Sequence, residues 1–257
     1  MESLFDGANN RFYPILMVIF FRYVILAGIA FVIFYLLRRN AWSFKKIQRK
    51  FPVISDYQRE FLYSVSTAFI FAGLGYLFFL GPLARYTLVY KNFSDHSLLY
   101  FFFSVTVILV VHDTYFYWAH RLMHHPKLFK YFHKVHHLST NPSPWAAMAF
   151  HPLEAVVEFG IIVVISFLFP VHLVAIALFL LIMMIYNVYG HLGYELYPKG
   201  FSKSMIGKWI NTSINHNQHH EHFVGNYGLY FLWWDRWMGT LREDYDNKFE
   251  EVKSRNS

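Results

Sequence analysis

Apolar positions fall in long unbroken runs, unlike the short alternations of a half-buried soluble fold. Residues 12–37 (FYPILMVIFFRYVILAGIAFVIFYLL) carry Arg22 as their only charge. At about 1.5 Å per helical residue they can cross the roughly 30 Å hydrocarbon layer. A second run covers 60–81 and stops at Gly81-Pro82, and a third covers 97–119. Residues 155–190 form one long apolar stretch interrupted at Phe169-Pro170. Proline there removes a helix hydrogen bond and favours a turn, which predicts a helical hairpin with arms of uneven length. The predicted fold is all-α: a polytopic membrane helical protein with about three single spans, a helical hairpin and a cytosolic histidine-rich helical cap. The first run does not read as a cleavable signal peptide. It follows an acidic start (Glu2, Asp6) and is too long and too aromatic.

The polar positions orient these spans. Arg38, Arg39, Lys45, Lys46, Arg49 and Lys50 crowd the loop after the first run, so the positive-inside tendency predicts a cytosolic 38–59. By alternation 82–96 is outside, 120–154 cytosolic, the hairpin tip near Pro170 outside, and 191–257 cytosolic. Lys199, Lys203 and Lys208 agree. All dense histidine segments then share one face, although histidine played no part in the orientation. One integrated domain is expected, divisible into N-terminal membrane spans (1–104), a histidine-rich region (105–242) and a C-terminal tail (243–257). The last dozen residues, DNKFEEVKSRNS, read as a solvated, frayed end.

Composition narrows the chemistry. Hydrophobic residues make up 56% of the 257 and charged ones 15%, against roughly 25% charged in soluble domains. The absence of cysteine excludes disulfides, thiolate metal sites and a cysteine nucleophile. The net charge of +7 does not point to nucleic acid, because the cations flank apolar runs. There is no P-loop, no G-x-S-x-G and no dinucleotide fingerprint.

Fifteen histidines remain. His120 and His124 are four apart and share a helix face. His133-Lys-Val-His136-His137 and His216-Asn-Gln-His219-His220 are each H-x-x-H-H clusters. A lone histidine is ordinarily a surface or satisfied core residue. Eight in three boxes are different, because each buried unpaired nitrogen costs roughly 1–3 kcal/mol. Coordination removes that cost. Eight nitrogens exceed the four of one tetrahedral zinc, which implies two metals, with zinc, copper, manganese and iron all open on softness alone. A zinc-protease motif fails, since the position four after His220 is Val224.

The phrases HDTYFYWAHRLMHH, HKVHH, AFHPLE, NVYGHLGYE and NHNQHHEHFVGNYGLYFLWWDRWMGT, spread over residues 105–242, resemble the fatty acid hydroxylase and sterol desaturase superfamily, with the phrase around His151 closest to the sterol desaturase branch. The resemblance implies a membrane-bound non-haem oxidoreductase holding two iron ions, with zinc able to replace them in a purified form. It would use dioxygen to hydroxylate or desaturate a sterol-like or fatty acyl lipid. It implies His120, His124, His133, His136, His137, His191, His216, His219 and His220 as metal ligands and catalytic residues. Asn187 stands where some members carry a further histidine. An electron donor such as a b-type cytochrome or ferredoxin with its reductase is implied too. So is the endoplasmic reticulum in a eukaryote or the inner membrane in a bacterium.

Asp113, Glu154, Glu195 and Asp235 are candidate acceptors for the free ring N–H of ligand histidines, with Arg236 or Arg121 as other partners for Asp235. His96, His125, His172 and His222 read as bystanders, while His112 and His151 stay open. Trp118, Trp145, Phe150, Tyr189, Trp233 and Trp234 could line a lipid channel or simply pack in the membrane. Two rivals remain. A metal transporter would carry its histidines along the spans near mid-membrane, and here most lie just beyond span ends. A non-redox zinc protein of the same fold is the other.

Overall fold

The computed structural model describes residues 2–255, with side chains from Arg11 onward. The side chains of Glu2 and Asp6, and the last two residues of the tail, lie outside the described residues. Helix α1 (Glu2–Phe31) runs into a π-helical turn, Val32–Leu37, and α2 spans Ile54–Phe79. A two-residue strand β1 (Val89–Tyr90) precedes α3 (Leu98–Met123) and the short α4 (Pro126–Phe132). Then come α5 (Pro152–Leu168), strand β2 (Val171–His172), α6 (Leu173–Gly190), α7 (Ser213–His222), α8 (Trp233–Trp237) and α9 (Tyr245–Lys253). The fold is an all-α polytopic membrane protein, and four of its helices are long and apolar enough to span a bilayer.

The hairpin breaks where proline predicted, but its arms, α5 and α6, have 17 and 18 residues and are nearly equal. Helix α2 begins before the apolar run at 60, and α3 ends after 119. Hydropathy marks the membrane-buried part of a helix, whereas its hydrogen bonds continue into water until a cap ends them. At α2 that cap is Asp56, which accepts from Val53 N at 3.1 Å.

Outward residues of α1, including Val18, Phe21, Ile25 and Ile29, are exposed as a lipid-facing stripe requires. Inside, α1, α2, α5 and α6 enclose a 3-10 turn, Pro144–Met148, buried over most of its length. Tyr23 and Ser64 both donate to Trp145 O, at 2.9 and 3.0 Å, and Ser143 donates to Glu60.

Loop contacts fix which ends lie together. The α2–α3 loop meets the hairpin tip through the parallel pairing Val89↔Val171 and Tyr90↔His172. At the opposite end Gln48 donates to Thr140 O and Asn217, and Arg255 donates to Lys46 O. This matches the alternation expected from charge. The C-terminal tail corrects the expectation of a frayed end. Tyr245, Phe249 and Val252 of α9 are buried against Ile47, Ile214 and Leu232. Their i, i+4, i+7 spacing makes one apolar face, and burying it outweighs the fraying of a terminus.

Candidate metal centre

Four chain segments deliver histidines to one place. The last turn of α3 carries His120, and His124 caps it. Helix α4 turns the chain back, so that its cap His133 and the following turn, with His136 and His137, face α3. His191 caps the end of α6, where Gly190 lets it approach: a Cβ there would stand 3.3 Å from the His216 ring. Helix α7 supplies His216, His219 and His220, and its first eight residues, Ser213 to His220, are all buried. Apart from Ile214, which joins the α9 core, this polar helix packs against other imidazoles and polar groups.

The nine histidines form two groups. His120, His124, His133, His137 and His219 compose the first, and His136, His191, His216 and His220 the second, with the ligand atoms of each group all within 4.8 Å of one another. All are buried except His124, which is half-buried.

Backbone carbonyls decide which nitrogen faces inward. The Nδ1 of His120 meets Tyr227 O at 2.9 Å, that of His191 meets Asn187 O at 2.7 Å, that of His219 meets Gly225 O at 2.7 Å and that of His220 meets Ser139 O at 2.9 Å. A carbonyl only accepts, so each Nδ1 carries the proton and each Nε2 is a bare lone pair. The Nε2 atoms converge: His216–His191 at 3.0 Å, His220–His191 and His220–His216 at 3.2 Å, His124–His219 at 3.1 Å and His120–His133 at 2.9 Å, with two bare lone pairs face to face at His220–His191. Such contacts are repulsive unless a cation sits between them. With nitrogen–metal bonds of about 2.1 Å, neighbouring ligands are about 3.0 Å apart around an octahedron and about 3.4 Å around a tetrahedron. The closest pairs, at 2.9–3.2 Å, lie in the range that nitrogens sharing one ion would take. Both nitrogens of His137 and Nδ1 of His216 have no protein partner.

Burial holds the imidazoles uncharged. It lowers His124 to about 2 and His191 to about 4, and pushes His133, His136, His137, His216, His219 and His220 well below their ordinary value. Neighbouring histidines add to the effect. Neutral imidazole is the form that binds a metal.

Of the four candidate acids, Glu154 alone meets a histidine, accepting from His133 Nδ1 at 2.6 Å. The other three correct the expectation, because they hold backbone. Glu195 accepts from Tyr197 N, Tyr189 Oη and Ile214 N, which fixes the N-terminus of α7. Asp235 accepts from Tyr227 N, Gly228 N and Thr240, and forms no ion pair with Arg236 or Arg121 among the described residues. Asp113 accepts from Tyr230 N, Phe231 N and Trp233 Nε1. Asp235 therefore positions the very segment whose carbonyl meets His120.

His125, His151 and His172 cap helices, each accepting from the N–H two residues on. His96 stacks on Tyr100, and His222 is exposed. His112 belongs to neither group and meets Tyr230 Oη at 2.9 Å. The acceptor carbonyls were not foreseen, since a carbonyl leaves no mark in sequence. Only Gly225 hinted at one: its φ of +80° turns the chain where a Cβ would strike Thr240 O.

A cavity of about 470 Å³ adjoins the centre, enclosed by α1, α2, α5, α6 and the 144–148 turn. Phe150 lines it and lies against the His136 ring, with centroids 5.3 Å apart, and Asn187 lines it next to His191. Trp118, Trp145, Tyr189, Trp233 and Trp234 do not line it. Trp145 packs among Tyr23, Phe31 and Phe61, and Trp118 against Trp234.

The model of the family described as fatty acid hydroxylase matches residues 105–240, just over half of the chain and the stretch that holds all nine histidines. The chain belongs to the fatty acid hydroxylase family. It is 33% identical over 165 residues to a Delta(7)-sterol 5(6)-desaturase of Gibberella zeae, covering 64% of this chain and 50% of that protein. Lathosterol oxidase of Rattus norvegicus is 32% identical (64% and 54% covered) and that of Homo sapiens 29% identical (72% and 61%). The chain thus spans about half the length of the first of these curated relatives. No solved structure matches it significantly.

Proposed function

We propose that the chain is a membrane-bound oxidoreductase that hydroxylates or desaturates a sterol-like lipid with dioxygen and two electrons. Two iron ions would be held by the nine histidines, five at one ion and four at the other. The observation that carries this reading is the pair of buried histidine groups, the ligand nitrogens of each within 4.8 Å of one another. Bound iron supplies the oxygen chemistry that no side chain can perform.

The protein's own part is positional. Carbonyls of residues 139, 187, 225 and 227 hold four rings in the tautomer that leaves Nε2 free. Glu154 raises the basicity of His133. The cavity keeps water from the reacting carbon and brings that carbon to Phe150 and Asn187. Hydroxylation places one oxygen atom in the lipid and one in water. Desaturation removes two hydrogens and yields two waters. Both consume two electrons and two protons per dioxygen, which a b-type cytochrome or ferredoxin with its reductase would deliver.

The Arg38–Lys50 cluster supports a cytosolic histidine face, in the endoplasmic reticulum of a eukaryote or the inner membrane of a bacterium. The transporter reading is weaker, because the groups gather at the last turn of α3 and just past the end of α6 and do not string along a path across the bilayer. Purified protein in lipid vesicles, given a reductant and a mixed sterol extract, should yield oxidised sterol only when dioxygen is present. Ion flux without such a product would overturn the proposal.

A further inference from the structure

The polar lining of the cavity is confined to Arg22, Glu158 and Asn187. Chain direction orders its two ends. Helix α6 starts at the hairpin tip, where Leu173 lines the cavity, and ends at Asn187 beside His191. Helix α5 runs the opposite way, and Glu158 stands in its second turn, four residues after the Glu154 that holds His133. The tip end, with Pro14, Phe79, Leu80 and Leu173, is wholly apolar.

Glu158 forms no hydrogen bond or ion pair with any described residue. A carboxyl facing an apolar cavity inside a membrane span is costly without a partner, and such a group is functional by default. Arg22, whose Nε also has no partner among the described residues, lines the same cavity from α1, while Glu158 is the unpartnered acceptor one helical turn from Glu154, with an apolar sleeve leading away toward the tip.

We infer that Glu158 receives the hydroxyl of the lipid substrate and so sets its direction in the cavity, hydroxyl end beside the histidine centre and alkyl tail toward Leu173. The inference rests on the sterol-oxidation reading and deepens it: the carbon oxidised lies within a few bonds of the hydroxyl. A fatty acyl chain oxidised far from its head group does not fit this placement.

Equilibrium binding to the iron-loaded protein in lipid nanodiscs, kept free of dioxygen, tests it without turnover. The probes are a radiolabelled 3-hydroxysterol and its 3-deoxy counterpart. Wild type should prefer the hydroxysterol by about tenfold to a hundredfold, the range of one hydrogen bond to a charged or strongly polar group. Glu158→Leu should abolish the preference, and Glu158→Gln, which still accepts a hydrogen bond, should keep a few-fold part of it. Should the Leu variant fail to fold, the Gln variant decides. Leu173→Trp should weaken a sterol with a full alkyl tail and spare one without it. Equal binding of both probes by wild type would overturn the inference. So would an undiminished preference in the Glu158 variants, or a Leu173→Trp variant that weakens both tail lengths alike. Failure of dioxygen-dependent turnover would instead refute the oxygenase proposal and leave these binding ratios intact.

Discussion

Glu154 is the one carboxylate among the described residues that touches a histidine of either group, with both partners fully buried. Replacing it by glutamine keeps the volume and leaves a weaker acceptor against the ring. Glu154→Gln should lower metal affinity about 10–100-fold, read by competition against a chelator of known strength. The same residues predict acid sensitivity in the metal-free protein. His191 titrates at about 4 when folded and at about 6.5 when unfolded, so its folded value is depressed. The unfolded chain binds more protons between those values. This contribution to stability is complete above about pH 6.5 and disappears as pH falls through about 4, so denaturant midpoints should drop across that window. Side chains at this scale were legible, because eight histidines in three boxes are a rare pattern. Their supports were largely not. Asp113, Glu195 and Asp235 hold peptide groups, and nothing in the sequence says that a buried acid will face backbone and not a ring.

Helix α7 is the element most dependent on metal, being polar, ten residues long and almost wholly buried. Its anchors are Glu195 at Ile214 N and the N-cap Thr212, whose hydroxyl meets Tyr245 Oη of α9 at 3.2 Å. Removing the metal should raise amide exchange across 213–222 well before it does so in α2 or α3. Phe249→Ala should cost about 3–5 kcal/mol by opening the small core that joins α9 to Ile47, Ile214 and Leu232. Chemical unfolding in detergent measures that loss. Helix α9 was misread for a physical reason. Its charges dominate its composition, while its stabilising face is only three apolar residues long. The spans were read well because hydrocarbon permits little besides helices. Their ends were read less well, since caps and not hydropathy set them.

At the scale of the whole molecule, contacts join the 82–96 loop to the hairpin tip, and the 38–59 loop to the histidine cap. The charge rule then assigns the second assembly to the cytosol. The chain has no cysteine, so single cysteines report sidedness cleanly. Ser94→Cys should react with an impermeant maleimide from the non-cytosolic side, and Ser254→Cys only after the cytosolic side is opened. The reverse pattern would invert the proposed orientation. The fold class and the shared face of the histidines were visible in the sequence because runs and boxes are linear features. The cavity was not, because its walls come from α1, α2, α5 and α6, and of six aromatic residues that could line it or pack in the membrane only Phe150 lines it. The central claim is the two-metal centre. Mössbauer spectroscopy of protein purified without oxygen and loaded with enriched iron tests it most directly. The account predicts about two irons per chain, antiferromagnetically coupled after oxidation, in six-coordinate nitrogen-rich sites. A single uncoupled iron, or persistent zinc with no coupled pair, would contradict it.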